Sequence, residues 1–150
     1  MRHFNILLIF LAIMLAGNVR ASDDWSLSDM TGKVHTLSGY RGKWLLINFW
    51  ATWCPSCVAE IPGFGKLMES HHDDLVIIGI AENYRTHQEV INFVNQKNIV
   101  YPIVLGDEDT AGDFGGIAGF PTSFLYSPSG KLVERIEGAV TQADIERRIR

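Results

Sequence analysis

Two cysteines stand three residues apart, Cys54-Pro55-Ser56-Cys57, in a chain of 150 residues that has no others. Thiols at this spacing either cycle between dithiol and disulfide or supply two ligands of a tetrahedral metal site. The metal reading needs His help, and nothing in the spacing of His35, His71, His72 or His87 places those rings beside the motif. The expectation is therefore a redox pair, with no metal and no cofactor. Residues three apart on a first helical turn have Cα atoms roughly 5 to 6 Å apart, inside the range a disulfide bridges. Pro55 suits that first turn, which puts Cys54 at the helix N-terminal edge. There, unpaired N–H groups and the positive end of the dipole favour a thiolate. Cys54 is expected to be the nucleophile, and Cys57, one turn in and less exposed, the resolving thiol.

The elements that must hold such a pair can be read on either side of it. Lys43 to Trp50 is apolar almost throughout and too short for a helix, so it reads as a buried strand running into the motif. After Pro55, the positions Val58, Ile61, Phe64, Gly65 and Met68 keep a rough helical spacing up to His71, with Pro62 predicting a kink near Ala59. Leu75 to Ala81 reads as a second strand, Thr86 to Lys97 as a helix, and Ile99 to Leu105 as a third strand starting at Tyr101-Pro102. Asp107 to Ile117 suggests a short helix and a loop. Thr122 to Tyr126 and Lys131 to Glu137 suggest a hairpin across Ser127-Pro128-Ser129-Gly130, and Thr141 opens a last helix. Before all of these, Trp25 to Leu37 alternates around Thr31-Gly32 as a short hairpin with a two-residue turn. The order describes an α/β sandwich with parallel central strands, an antiparallel edge and an N-terminal β-hairpin extension.

Length, composition and charge narrow the setting. One domain fits 150 residues at 47% hydrophobic and 20% charged, and two Cys cannot build a disulfide-framed miniprotein. Arg2 and His3, the apolar run Ile6 to Ala16, and Val19 and Ala21 have the pattern of a secretory signal peptide over residues 1–21, leaving a domain over 22–150. The apolar run is well short of the roughly 20 residues a membrane span needs, so cleavage is expected rather than anchoring. Loss of Arg2 and Arg20 leaves 11 basic and 17 acidic residues, a net charge of -6, which argues against nucleic acid as a partner. Export to a periplasmic or other extracytoplasmic space places the cysteines where disulfides form and persist.

Two segments carry a family resemblance: INFWATWCPSCVAEIP, from Ile47 to Pro62, and GFPTSFLYSPSGKL, from Gly119 to Leu132. Together they resemble the TlpA/ResA/DsbE-like branch of the thioredoxin superfamily, over essentially all of Trp25 to Ile149. The resemblance implies a thioredoxin-like three-layer sandwich with a central mixed sheet. It also implies that Pro121 is cis and faces the disulfide, within a substrate-binding surface of Trp53, Pro55, Phe120, Pro121 and Thr122. An apolar collar of that kind holds an extended peptide weakly. Asn48 stands where cytosolic thioredoxins carry a buried, proton-moving Asp, and it cannot titrate. Glu60 matches an acidic residue near the pair, either a proton acceptor for Cys57 or a solvated carboxylate on the helix face. Trp50 is expected in the core and Asp107-Glu108-Asp109 on a solvated face, while Glu82-Asn83, at the strand edge where α/β proteins often place functional loops, reads chiefly as a surface loop.

The implied activity is that of an exported thiol-disulfide oxidoreductase, chiefly a reductase of protein disulfides such as those of apocytochrome c in cytochrome c maturation. A membrane thiol reductant of the DsbD/CcdA kind is implied as electron donor, and the protein is expected to be a monomer. Pro55-Ser56 puts no positive side chain between the cysteines, which predicts a reduction potential nearer about -270 mV than about -120 mV. The alternatives are a general disulfide oxidase or isomerase, a thiol peroxidase, and a non-catalytic redox-regulated binding module.

Overall fold

The computed structural model describes residues 24–150, so the signal peptide expected over 1–21 lies outside the described residues. The chain forms a five-stranded mixed sheet covered on both faces, with a separate two-stranded hairpin at its N-terminal side. The hairpin is β1 (Ser26–Ser28) and β2 (Val34–Thr36), paired antiparallel. Its connection is five residues long, not the two-residue turn expected at Thr31-Gly32, because Ser28 pairs with Val34. Asp29 organises this longer loop, its Oδ1 accepting from Thr31 N at 2.8 Å, Thr31 Oγ1 at 2.7 Å and Lys33 N at 3.1 Å. The other Asp29 oxygen lies 2.8 Å from Nε2 of the buried His35, whose Nδ1 pairs with the Tyr40 hydroxyl. A short 3-10 turn, Ser38–Tyr40, then leads into the main sheet.

Strand order in that sheet is β5-β4-β3-β6-β7. Strands β3 (Trp44–Trp50), β4 (Leu75–Ala81) and β5 (Ile103–Leu105) are parallel, while β6 (Thr122–Tyr126) and β7 (Leu132–Glu137) add antiparallel pairs. Central strands covered on both faces need apolar side chains at successive positions, which is why β3 and β4 read as unbroken runs. Leu46 and Trp50 of β3 join one cluster, with Cys54, Cys57, Phe64, Leu75 and Ile77. Leu45, Ile47 and Phe49 point the other way, onto Ile78, Ile80 and Phe124. The hairpin's Leu27 belongs to this second cluster, so the extension packs as a structural cover for that face.

The helices are α1 (Pro55–Ser70), α2 (His87–Lys97), α3 (Glu108–Asp113) and α4 (Gln142–Arg148). α1 continues through Pro62 as one element. Thr86 caps α2, and Asp107 and Thr141 close capping boxes on α3 and α4, which satisfies amide groups that the first turn leaves free. β5 is shorter than the strand expected from Ile99. Asn98 ends α2 in the left-handed region at φ 50°, and Ile99 N is drawn back to Val94 O at 3.1 Å. Pro102 brings no N–H to the sheet and offers only its carbonyl, to Gly79 N at 2.9 Å. Among the described residues no helix is long and apolar enough to cross a membrane.

Candidate active site: the Cys54–Cys57 disulfide

All three parallel strands run toward the same edge of the sheet, the position where open α/β sheets collect functional loops. β3 delivers the motif there through Ala51-Thr52-Trp53, and Thr52 Oγ1 donates to Glu89 Oε1 of α2 at 2.6 Å. Cys54 is the residue that caps α1, with extended backbone (φ -91°, ψ 108°), and its Sγ accepts from Cys57 N at 3.2 Å. The two cysteines form a disulfide with a Cα–Cα separation of 5.3 Å. Both are close to covered, Cys54 at 4% exposure and Cys57 at 2%, so Cys57 is the less exposed as expected but by a small margin. The Ser56 hydroxyl lies 3.4 Å from Cys54 Sγ, a neighbour the sequence reading did not single out.

The collar around the pair is partly as expected. Trp53 is 58% exposed, donates its indole N–H to Asn83 O at 3.0 Å, and meets the Phe120 ring edge-on at 6.0 Å. Pro55 is exposed and Phe120 half-buried. The Phe120–Pro121 peptide bond is cis, but Pro121 itself is buried. Thr122 is buried as well, at 1% exposure, and its hydroxyl donates to Gly119 O at 2.7 Å. What Thr122 offers is therefore support for the loop, while the accessible apolar surface is Trp53, Pro55 and Phe120. Trp50 is in the core at 2% exposure.

Glu60 is not on a solvated helix face. It is 4% exposed, with Oε1 accepting from Val140 N at 2.6 Å and Oε2 from Asn48 Nδ2 at 3.3 Å. Burial raises its pKa to about 7 against the lowering effect of these two hydrogen bonds. Asn48 also donates to Ser123 Oγ at 3.0 Å, so its amide bridges α1 and β6. The phenol of Tyr101 is raised too, by burial and by the Glu60 charge. Cys57 and Glu60, three residues apart on α1, share one side of that helix.

Glu82 overturns its expectation outright. The residue follows β4 directly, its amide bonds to Trp50 O at 2.9 Å, and its side chain is 9% exposed rather than lying in a surface loop. Burial first, then the charges of Asp107 and Glu108, raise its pKa to about 7. Asp107 is more than part of a solvated face, since its Oδ1 accepts from Thr110 N at 2.8 Å to cap α3. Among the described residues no group of three or more His, Cys, Asp or Glu side chains is placed to hold a metal ion. A cleft of about 750 Å³ between the hairpin and β6 is lined by neither cysteine.

A disulfide spanning the start of a helix, fed by the central strand of a mixed sheet, with a cis-proline loop whose Phe120 meets Trp53 beside the pair, defines a thioredoxin-like thiol-disulfide oxidoreductase. Residues 20–135 match the AhpC/TSA family. The thiol-disulfide oxidoreductase ResA of Geobacillus thermodenitrificans is 32% identical over 126 residues, which cover 84% of this chain and 72% of that protein. A thiol:disulfide interchange protein of the thioredoxin family from Chlorobium tepidum TLS superposes with a TM-score of 0.76 at 31% identity, covering 84% of this chain and 90% of that one. The exposed lipoprotein thioredoxin of Streptococcus pneumoniae strain TIGR4 shares the fold, with a TM-score of 0.73 at 24% identity over 83% of this chain and 96% of that one. The chain belongs to the AhpC/TSA family and, within it, stands with the ResA thiol-disulfide oxidoreductases.

Proposed function

We propose that the protein is an exported reductant of protein disulfides, in which Cys54 attacks and Cys57 resolves. The reading rests above all on the sequence between the thiols. Pro55 and Ser56 place no cation beside Cys54 Sγ, whose polar neighbours are the Cys57 N–H and the Ser56 hydroxyl. A dithiol gives up electrons more readily when its thiolate is less strongly stabilised.

In the forward reaction the Cys54 thiolate attacks one sulfur of the substrate disulfide, and the other sulfur leaves as a thiolate. The Cys57 thiol passes its proton to Glu60, then attacks Cys54 Sγ, which releases the second substrate sulfur. Two electrons have moved to the substrate, and the enzyme is left with the Cys54–Cys57 bond. A group with a pKa near 7 suits this proton transfer at neutral pH, and Glu60 has that value because it is buried. Trp53, Pro55 and Phe120 hold the substrate chain, and Pro121 and Thr122 shape the loop beside it.

Residues 1–21 act as a cleaved leader in this proposal, and 22–150 work in the periplasm or its equivalent. The haem-binding cysteines of apocytochrome c are the proposed substrate, and a membrane thiol donor of the DsbD/CcdA kind restores the dithiol. The deciding experiment is the reduction potential of the 22–150 protein in defined thiol buffers, read by the fluorescence of Trp50 and Trp53. A value well below about -200 mV supports the reductase; one near about -120 mV makes the protein an oxidant and ends the cytochrome-maturation reading.

A further inference from the structure

The described residues hold one carboxylate oxygen that the chemistry above leaves unused. Glu82 Oε1 is buried and has no hydrogen-bond partner. Burying such a group without a donor is costly, so a ligand that enters the cleft lined by Glu82 and supplies a donor to its carboxylate is favoured. The surrounding backbone makes room for it. Gly106 lies beneath the carboxylate, and a Cβ there would stand 3.0 Å from Glu82 Oε1 and 2.6 Å from Ile80 Cγ2, so any larger residue would displace the group.

Gly106 and Glu82 are walls of one cleft of about 650 Å³, with Asp107, Glu108, Tyr84 and Phe120. Three of these residues, Glu82, Asp107 and Glu108, are acidic, and no residue lining the cleft is basic. Arg85, the nearest in sequence, turns its guanidinium to Glu89 on α2 at 3.3 Å. The carboxylates are not gathered into a metal-binding group. An ammonium or guanidinium group on a flexible stem meets both requirements, because it donates several hydrogen bonds and carries the compensating charge. The apolar side of the cleft, Phe120, suits the stem of such a side chain.

The cleft is also continuous with the redox site. Phe120 forms its wall and touches Trp53, which precedes Cys54, and the Trp53 indole is bonded to Asn83, the residue after Glu82. A polypeptide lying on Trp53 and Phe120 with its sulfur at Cys54 thus passes the mouth of the acidic cleft. We propose that the cleft is a subsite for a lysine or arginine side chain of the protein substrate, received by Glu82, Asp107 and Glu108 a few residues from the reacting cysteine. The net negative charge of the chain favours the approach of such a substrate. This subsite rests on the reductase reading and adds the substrate preference.

The test uses disulfide-bonded synthetic peptides that differ only by Lys or Gln, with the substitution placed in turn at each position within four residues of the reacting cysteine. The reduced 22–150 protein is assayed for kcat/KM at low ionic strength. At the best position the Lys peptide is expected to be favoured about tenfold, the worth of one charge-assisted hydrogen bond. Glu82→Gln should bring the Lys-to-Gln ratio to near one. Asp107→Asn should lower it as well, and keeps an α3 cap should the first variant fold poorly. Equal kcat/KM for Lys and Gln at every position, or a preference that survives both substitutions, overturns the subsite. The reductase reading falls on a different observation, a high reduction potential, so the two failures are distinguishable.

Discussion

Asn48 donates its side-chain amide to Glu60 Oε2 at 3.3 Å, from the strand that leads into Cys54 to the helix that begins there. The pair couples a group that cannot titrate to one that burial raises to a pKa of about 7, and the bond from Asn48 acts against that rise.

If Glu60 takes the Cys57 proton, turnover rises with pH through about 7, as the carboxylate loses its own proton. Glu60→Gln should lower the resolution rate about 100-fold and flatten this limb of the profile. Stopped-flow Trp fluorescence from pH 5.5 to 8.5 measures both. An unchanged profile in the variant removes Glu60 from the mechanism.

Asn48→Asp places a second carboxyl group against Glu60 in the same buried space. Like charges this close do not both ionise, so one proton is retained to a higher pH and the two groups titrate as a coupled pair. The expected outcome is a pH–rate limb displaced upward by about one unit or more, with lower stability at alkaline pH. A limb that stays in place shows that Glu60 does not govern it.

Stability should also depend on pH, with a definite sign. Glu60 and Glu82 keep their protons to about pH 7 in the folded chain, against 4.5 for a freely solvated glutamate, so the folded state holds more protons between those limits. Unfolding free energy therefore falls as pH rises from 4.5 to about 7 and levels off above. The contribution of Glu60 is about 2 to 3 kcal/mol. Urea unfolding of the oxidised protein at several pH values measures the slope, which Glu60→Gln should reduce.

Trp53→Ala removes an exposed indole, its hydrogen bond to Asn83 O and its contact with Phe120. KM for a protein disulfide should rise by about tenfold, since a Trp in such a position carries a large share of contact energy. The same variant should reduce a small, non-peptide disulfide with nearly unchanged kcat. An equal loss on both substrates would assign Trp53 to the architecture of the motif instead.

Much of the frame was legible from local pattern. β4 spans Leu75–Ala81 as its apolar run implied, and Thr86 and Thr141 cap the helices they were expected to open. Cys54 falls on the cap of α1 for the same local reason. What could not be read were contacts between segments far apart in the chain. The burial of Glu82 depends on the loop that follows β5, where Gly106 packs against it and Asp107 lines the same cleft. The length of the β1–β2 connection depends on Asp29 serving both its own loop and His35. Thr122 looked like part of a binding surface because of its place beside Pro121, yet a bond to Gly119 O turns its hydroxyl to the loop.

The bond between Glu60 Oε1 and Val140 N joins residues 80 apart in sequence. Ribosomes make the cysteines and Glu60 long before they make this amide. A nascent or truncated chain ending short of Val140 thus carries the whole nucleophilic motif without one of the two donors that anchor its buried acid. Its thiols are chemically complete, but the carboxyl of Glu60 is held only from the Asn48 side. The hydrogen bonding of Glu60 is in this sense finished only when the segment around Val140 has been made, well after the two cysteines.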